Sequence, residues 1–141
     1  MILYLDTSAL VPLLVAEPTS QACGELWDSA DDVTTTRLAF VEAAAAIAAA
    51  ERLGRVTKSQ QADSTEILRE LWTAVAVVEL REELMLDAAA MAQRHRLRGY
   101  DAVHCAAAVA ANDELLVAAS GDQQLLAAWR GEGLAVRDTN A

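Results

Sequence analysis

Large rings are scarce in this chain. Phe40 is the only phenylalanine, and aromatics make up 4% of the sequence. A core built on stacked aromatics is therefore excluded, and packing must rest on leucine, valine and the abundant alanine. Basic charge is scarce as well, with 11 Lys and Arg against 21 Asp and Glu and a formal net charge of −10. A protein that simply coats nucleic acid is basic, so general nucleic-acid coating is a poor fit. The acidity favours a basic partner or a basic inhibitory segment instead. The two cysteines, Cys23 and Cys105, match no metal or redox spacing and read as small buried hydrophobes. No uncharged run reaches membrane-spanning length. The N-terminus is a short apolar stretch ending in Asp6, not a charged region followed by a signal core. Reduced cytoplasm is the compartment these features favour. There is no Pro/Gly/Ser-rich linker, no internal repeat and no long charge block, so residues 1–141 read as one domain.

The chain is rich in short apolar runs that alternate with helical patterns. Hydrophobic residues make up 54% of it. Ile2–Leu5 is a buried-strand candidate. Thr7 and Ser8 are suitable N-caps for a helix expected to run through Val15, with Pro12 tolerated near its start. Glu17-Pro18 breaks it, and Thr19–Trp27 reads as a second helix. Asp32–Thr35 suits a strand, being rich in β-branched residues. Arg37–Leu53 is a long helix ended by Gly54. Thr57 with Gln60 forms a capping box opening a helix to about Val75. Ala76–Leu80, Leu115–Ala119 and Leu134–Arg137 read as strands. Glu82–Leu97, Tyr100–Asn112 and Asp122–Trp129 read as helices. This alternation predicts an α/β fold: a mainly parallel sheet of four to five strands between helical layers. In such sheets the binding crevice lies beyond the carboxyl ends of the strands.

Four carboxylates fall at or near that edge. Asp6 ends the first strand, Asp101 opens a helix, and Asp122 follows the strand Leu115–Ala119. Each of these three is also explicable as a helix cap. Glu42 is different, because it interrupts the most apolar stretch of the chain, Leu38–Ile47. Its i−4 and i+4 neighbours are Leu38 and Ala46, so no local ion pair is available. Acids gathered in a dry pocket need a compensating charge, and a hard divalent cation with oxygen ligands supplies one. The first reading is therefore a metal-dependent hydrolase.

Other residues give weaker signals. Arg37 stands at a helix start, where its charge opposes the macrodipole; that suggests a phosphate or acid partner, but an exposed arginine is the favoured reading. Arg94, His95, Arg96 and Arg98 form the only basic cluster. Cations belong at a helix C-terminus, yet Arg96 and Arg98 beside Asp101 could also guide a phosphate. His104, one turn after Asp101, reads as a satisfied core histidine rather than a ligand. Trp72 and Trp129 are expected to pack a core or a dimer surface.

Four segments in this order resemble the PIN-domain ribonucleases, and among them the VapC-type toxins of toxin–antitoxin pairs. They are Leu5-Asp6-Thr7-Ser8-Ala9-Leu10, Arg37-Leu38-Ala39-Phe40-Val41-Glu42, Gly99 to Ala108, and Ser120-Gly121-Asp122. The likeness runs essentially end to end and implies a three-layer α/β/α PIN-like domain. It implies a catalytic and metal-binding quartet of Asp6, Glu42, Asp101 and Asp122, supported by the hydroxyls of Thr7, Ser8 and Ser120. One or two Mg²⁺ or Mn²⁺ ions would serve hydrolysis of RNA phosphodiester bonds. The resemblance also implies a homodimer and a cognate antitoxin whose basic or amphipathic tail enters the site. Arg37, Arg96 and Arg98 are candidate contacts for RNA or antitoxin.

Three other readings were weighed. A haloacid-dehalogenase-type phosphohydrolase also carries an Asp after its first strand, but it needs a second two residues on, where this chain has Ser8. A receiver-type phosphoacceptor needs a lysine near its end, and the one lysine here is Lys58. A catalytically weak PIN-like module that merely binds a small basic protein is the alternative from a different class. Retention of all four acids argues against it.

Overall fold

A computed structural model describes residues 1–141. Five strands form one sheet: β1 (Ile2–Leu5), β2 (Asp32–Thr36), β3 (Val75–Val78), β4 (Leu116–Ser120) and β5 (Ala135–Asp138). Their order is β3-β2-β1-β4-β5, and every neighbouring pair is parallel. Seven helices connect them: α1 (Thr7–Leu10), α2 (Ser20–Ser29), α3 (Leu38–Arg52), α4 (Lys58–Trp72), α5 (Glu82–His95), α6 (Gly99–Ala110) and α7 (Gln123–Gly131). The expected α/β architecture forms, with five strands of the four to five predicted.

Period-two alternation along β1 divides the core. Tyr4 packs with α5, α6, α7 and β4, whereas Leu3 and Leu5 pack with Ala9, Cys23 and Val33. A third cluster joins Leu10 and Leu14 to Ala39, Ala43 and Ile47 of α3 and Leu68 of α4. Alanine lets these helices approach closely. Ala102, Ala106, Ala107 and Ala108 of α6 are all buried in the cluster that holds two large rings, Tyr4 and Trp129. No helix is long and apolar enough to cross a membrane.

Local signals account for most boundaries. The Thr57–Gln60 capping box forms with both of its hydrogen bonds. Gly54 takes φ +74° just beyond α3, a conformation that suits glycine. Two expectations fail. The first helix does not run to Val15: α1 ends at Leu10 and a 3-10 turn follows over Val11–Leu13. Pro12 stands inside that turn and has no N–H to continue an α-helical ladder. Its N-cap is Asp6 rather than Thr7 or Ser8, with the Asp6 carboxylate accepting from the Ala9 N–H.

The chain winds from β1 outward to β3, then crosses back to β4 and out to β5. The winding direction therefore reverses between β1 and β4, and the crevice of such a sheet opens at that switch point. Leu5 pairs in register with Ala119, so Asp6 and Ser120 emerge side by side at this point.

Candidate active site

Asp6 lies at the floor of the crevice, 4% exposed. Its Oδ1 accepts from Ser8 Oγ at 2.7 Å and from the Ala9 N–H at 3.1 Å; its Oδ2 accepts from Ser120 Oγ at 2.7 Å. Burial pushes its carboxyl above the ordinary value, against the pull of His104 and of these hydrogen bonds. Ser120 also accepts from the Asp122 N–H at 2.9 Å, and Ser8 accepts from the Gly121 N–H at 2.8 Å. The two serines thus join the loop after β1 to the loop after β4. Asp122 caps α7, its Oδ1 accepting from the Gln124 and Leu125 N–H groups.

Glu42 comes from the first turns of α3, beyond the carboxyl end of β2. Its Oε1 accepts from Thr7 Oγ1 at 2.8 Å and lies 2.8 Å from His104 Nε2. The apolar sequence around Glu42 offered no partner, and the partner comes from α6. Asp101 lies in the first turn of α6 and is nearly buried. It is not a helix cap, contrary to expectation; Arg98 holds that position without a side-chain bond. Burial pushes the Asp101 carboxyl upward first, the Asp122 carboxylate adds to it, and Glu42 adds further, while Arg98 and His104 oppose. Asp101 therefore feels the charges of Asp122 and Glu42, although the three belong to different helices or caps.

The basic candidates divide. Arg98 Nε lies 3.7 Å from Asp101 Oδ2, with its guanidinium over the Tyr100 ring. Arg37 is exposed, as favoured, and makes a bidentate pair with Glu79, an acid at the neighbouring strand's end rather than one of the quartet. Arg96 adopts φ +55° at the end of α5 and forms no ion pair with the quartet. Arg94 and His95 are held by Glu132. His104 and Tyr4 are the residues that sequence reasoning missed as part of the site. His104 is indeed buried and satisfied, but what satisfies it is Glu42, Thr7 and Tyr4. Its position one turn after Asp101 was the available signal. The cysteines are buried and unpaired, and burial pushes the Cys105 thiol up to about 12, so neither carries chemistry here.

A family model described as the PIN domain matches residues 3–128. The chain belongs to the PIN-domain family. It is 41% identical over 124 residues to ribonuclease VapC45 and, equally, to ribonuclease VapC49, both of Mycobacterium tuberculosis, covering 88% of this chain and 86% of each relative. Among solved structures it is similar to PAE2754 from Pyrobaculum aerophilum, with TM-score 0.72 and 23% identity over 99% of this chain and 93% of that one. It is also similar to a toxin–antitoxin complex from Klebsiella pneumoniae, with TM-score 0.67 and 15% identity over 96% of both chains. The last two likenesses establish the fold alone.

The donor chemistry of this PIN domain's site suits a hard cation. All four acids offer oxygen, and the Asp101 carboxyl is raised partly by the charges of Asp122 and Glu42, which a dication would offset. Asp6 Oδ2 accepts from one protein donor and keeps a second lone pair, and Asp122 accepts its two N–H bonds on Oδ1 alone, so Oδ2 is open. As the side chains stand, no three His, Cys, Asp or Glu groups form a finished cage.

Proposed function

We propose that this PIN domain is a metal-dependent endoribonuclease, the toxin of a type II toxin–antitoxin pair. The observation that carries the reading is the Asp101 carboxyl, held up by burial and then by the charges of Asp122 and Glu42, beside a β1/β4 switch point from which Asp6 emerges. The identity to two proteins named ribonuclease supports the reaction class.

Asp6, Asp101 and Asp122 would hold one or two Mg²⁺ or Mn²⁺ ions, and Glu42 would bind or orient water beside them. Bound there, the ion would lower the pKa of water and neutralise charge on the phosphodiester. The protein's own contribution is placement. Ser8 and Ser120 hold the Asp6 carboxylate by both oxygens, and Thr7 holds Glu42. Arg98 is the cation placed to meet a phosphate beside Asp101. Arg37 and Arg96 would contact RNA or antitoxin farther from the acids.

A cognate antitoxin with a basic, amphipathic tail fits two features of this chain. The net charge of −10 would attract it. An apolar cleft of about 420 Å³, lined by Leu38, Phe40, Val41, Trp72 and Leu80 with Arg37 at its edge, lies on the helix that carries Glu42. It would take the apolar side of such a tail. A toxin–antitoxin complex among the structural neighbours supports this partner class. The proposed active unit is a homodimer.

The test is incubation of the purified protein with RNA and Mg²⁺ or Mn²⁺. Cleavage that stops with chelator and in both Asp6→Asn and Asp101→Asn is the expected result. Undiminished cleavage by both variants would overturn the assigned site.

A further inference from the structure

His104 Nε2 stands 2.8 Å from Glu42 Oε1 and 3.2 Å from Thr7 Oγ1, and its Nδ1 stands 2.9 Å from the Tyr4 hydroxyl. The ring is 2% exposed and Tyr4 is wholly buried. Tyr4 is itself gripped, edge-on to His104 at 6.1 Å and edge-on to Trp129 at 5.7 Å.

The direction of the bond to Glu42 follows from valence. A carboxylate only accepts, so Nε2 must carry the proton it shares with Glu42. On the far side of the ring Nδ1 meets the Tyr4 hydroxyl at 2.9 Å, so the imidazole is held from both sides. Thr7 adds a second donor, and it goes to the same oxygen, Oε1. Oε2 accepts nothing from the protein, and the Glu42 side chain is 23% exposed.

We propose that His104, backed by Tyr4, is a positioning residue that clamps Glu42 through Oε1 and leaves Oε2 as the oxygen for a metal ion or its water. A free glutamate turns about three side-chain bonds and offers either oxygen; the clamp removes that choice. This inference rests on the reading of Glu42 as a metal- or water-handling residue. It assigns work to a histidine that touches neither substrate nor ion.

The test measures Mn²⁺ binding by calorimetry on the free protein, without RNA. His104→Leu, which fills the space but donates nothing, is expected to weaken Mn²⁺ about 10- to 100-fold, the range for loss of a group that orients a ligand. His104→Gln, whose amide can still donate to Glu42, is expected to recover most of that loss. Tyr4→Phe is expected to give a smaller loss, since it frees the imidazole without removing it. A merely structural histidine would lower the melting temperature in all three variants and leave the affinity of the folded protein unchanged, and that result overturns the proposal. Wild-type protein that binds no Mn²⁺ would instead sink the metal-site reading, and this clamp with it. Nitrogen NMR of the His104 ring gives an independent check on protein without metal. A protonated Nε2 is expected; a bare Nε2 would overturn the direction of the clamp even if His104→Leu does not fold.

Discussion

Ser120 donates a hydrogen bond of 2.7 Å to Asp6 Oδ2 across the adjoining ends of β4 and β1. The two residues are 114 positions apart in the chain. They meet because the sheet reverses its winding direction between these strands. The same hydroxyl accepts from the Asp122 N–H, so one serine sets the height of two of the four acids.

Removing that hydroxyl leaves Asp6 Oδ2 buried without a donor and the Asp122 N–H without its acceptor. Ser120→Ala is expected to lower stability by about 1–3 kcal/mol, the usual range for a buried group left unpaired. Urea denaturation followed by circular dichroism measures it. A loss indistinguishable from zero would mean that water replaces the serine.

The raised Asp101 carboxyl has a definite consequence for pH. A buried acid that resists ionisation favours the folded state while it stays protonated. In protein without added metal, this contribution is fully present below the ordinary aspartate value of about 4. It is lost as pH rises through the higher folded value. Asp6 acts in the same sense. Asp101→Asn is therefore expected to be at least as stable as wild type at pH 7, with the difference closing on acidification. Thermal melts across the pH range check this, and a wild-type advantage at pH 7 in chelator would contradict the sign.

The same substitution is expected to reverse rank once metal is added. An ion that binds only the folded state stabilises it by about 2.7 kcal/mol at a hundredfold excess over its Kd. Mn²⁺ should raise the melting temperature of wild type, and chelator should reverse the rise. Asp101→Asn should respond weakly or not at all. Equal shifts in both proteins would place the metal away from Asp101.

Cleavage should fall far more than stability in these variants. Removing one electrostatic stabiliser from a site typically costs about 10²- to 10³-fold in kcat. Asp6→Asn and Asp101→Asn are each expected to lose at least about that much against RNA while their far-ultraviolet dichroism is kept. Single-turnover cleavage on gels reads it.

Gly54→Ala provides the contrasting case. At φ +74° an added Cβ strains the backbone, and nothing lies within 4 Å to clash with it. A loss of about 1 kcal/mol in stability is expected, with cleavage unchanged. Denaturation and the gel assay together separate fold from site.

Several parts of this protein were legible from local sequence. The Thr57–Gln60 box and Gly54 mark helix ends through bonds and dihedral angles that span only a few residues. Asp6 and Asp122 cap their helices for the same local reason. The first helix was overextended, because Pro12 converts its second turn to 3-10 geometry rather than opening a longer α-helix. Arg37 reads as an exposed arginine, and its pairing with Glu79 depends on β2 and β3 lying side by side.

By itself, the sequence determined the alternation of strands and helices, the α/β class with four to five strands and the four candidate acids, since periodicity and capping are written in neighbouring residues. It also carried the family resemblance, because the acids recur in a fixed order with short flanking motifs. Only the tertiary structure decided what Glu42 faces. The imidazole that holds it comes from α6, 62 residues away, and the phenol behind that imidazole lies 100 residues from it on β1. Such meetings are decided by strand order, which places β1 at the centre of the sheet beneath α6. A helical pattern around residue 42 reports only its own faces and cannot name the side chain that another helix brings to them.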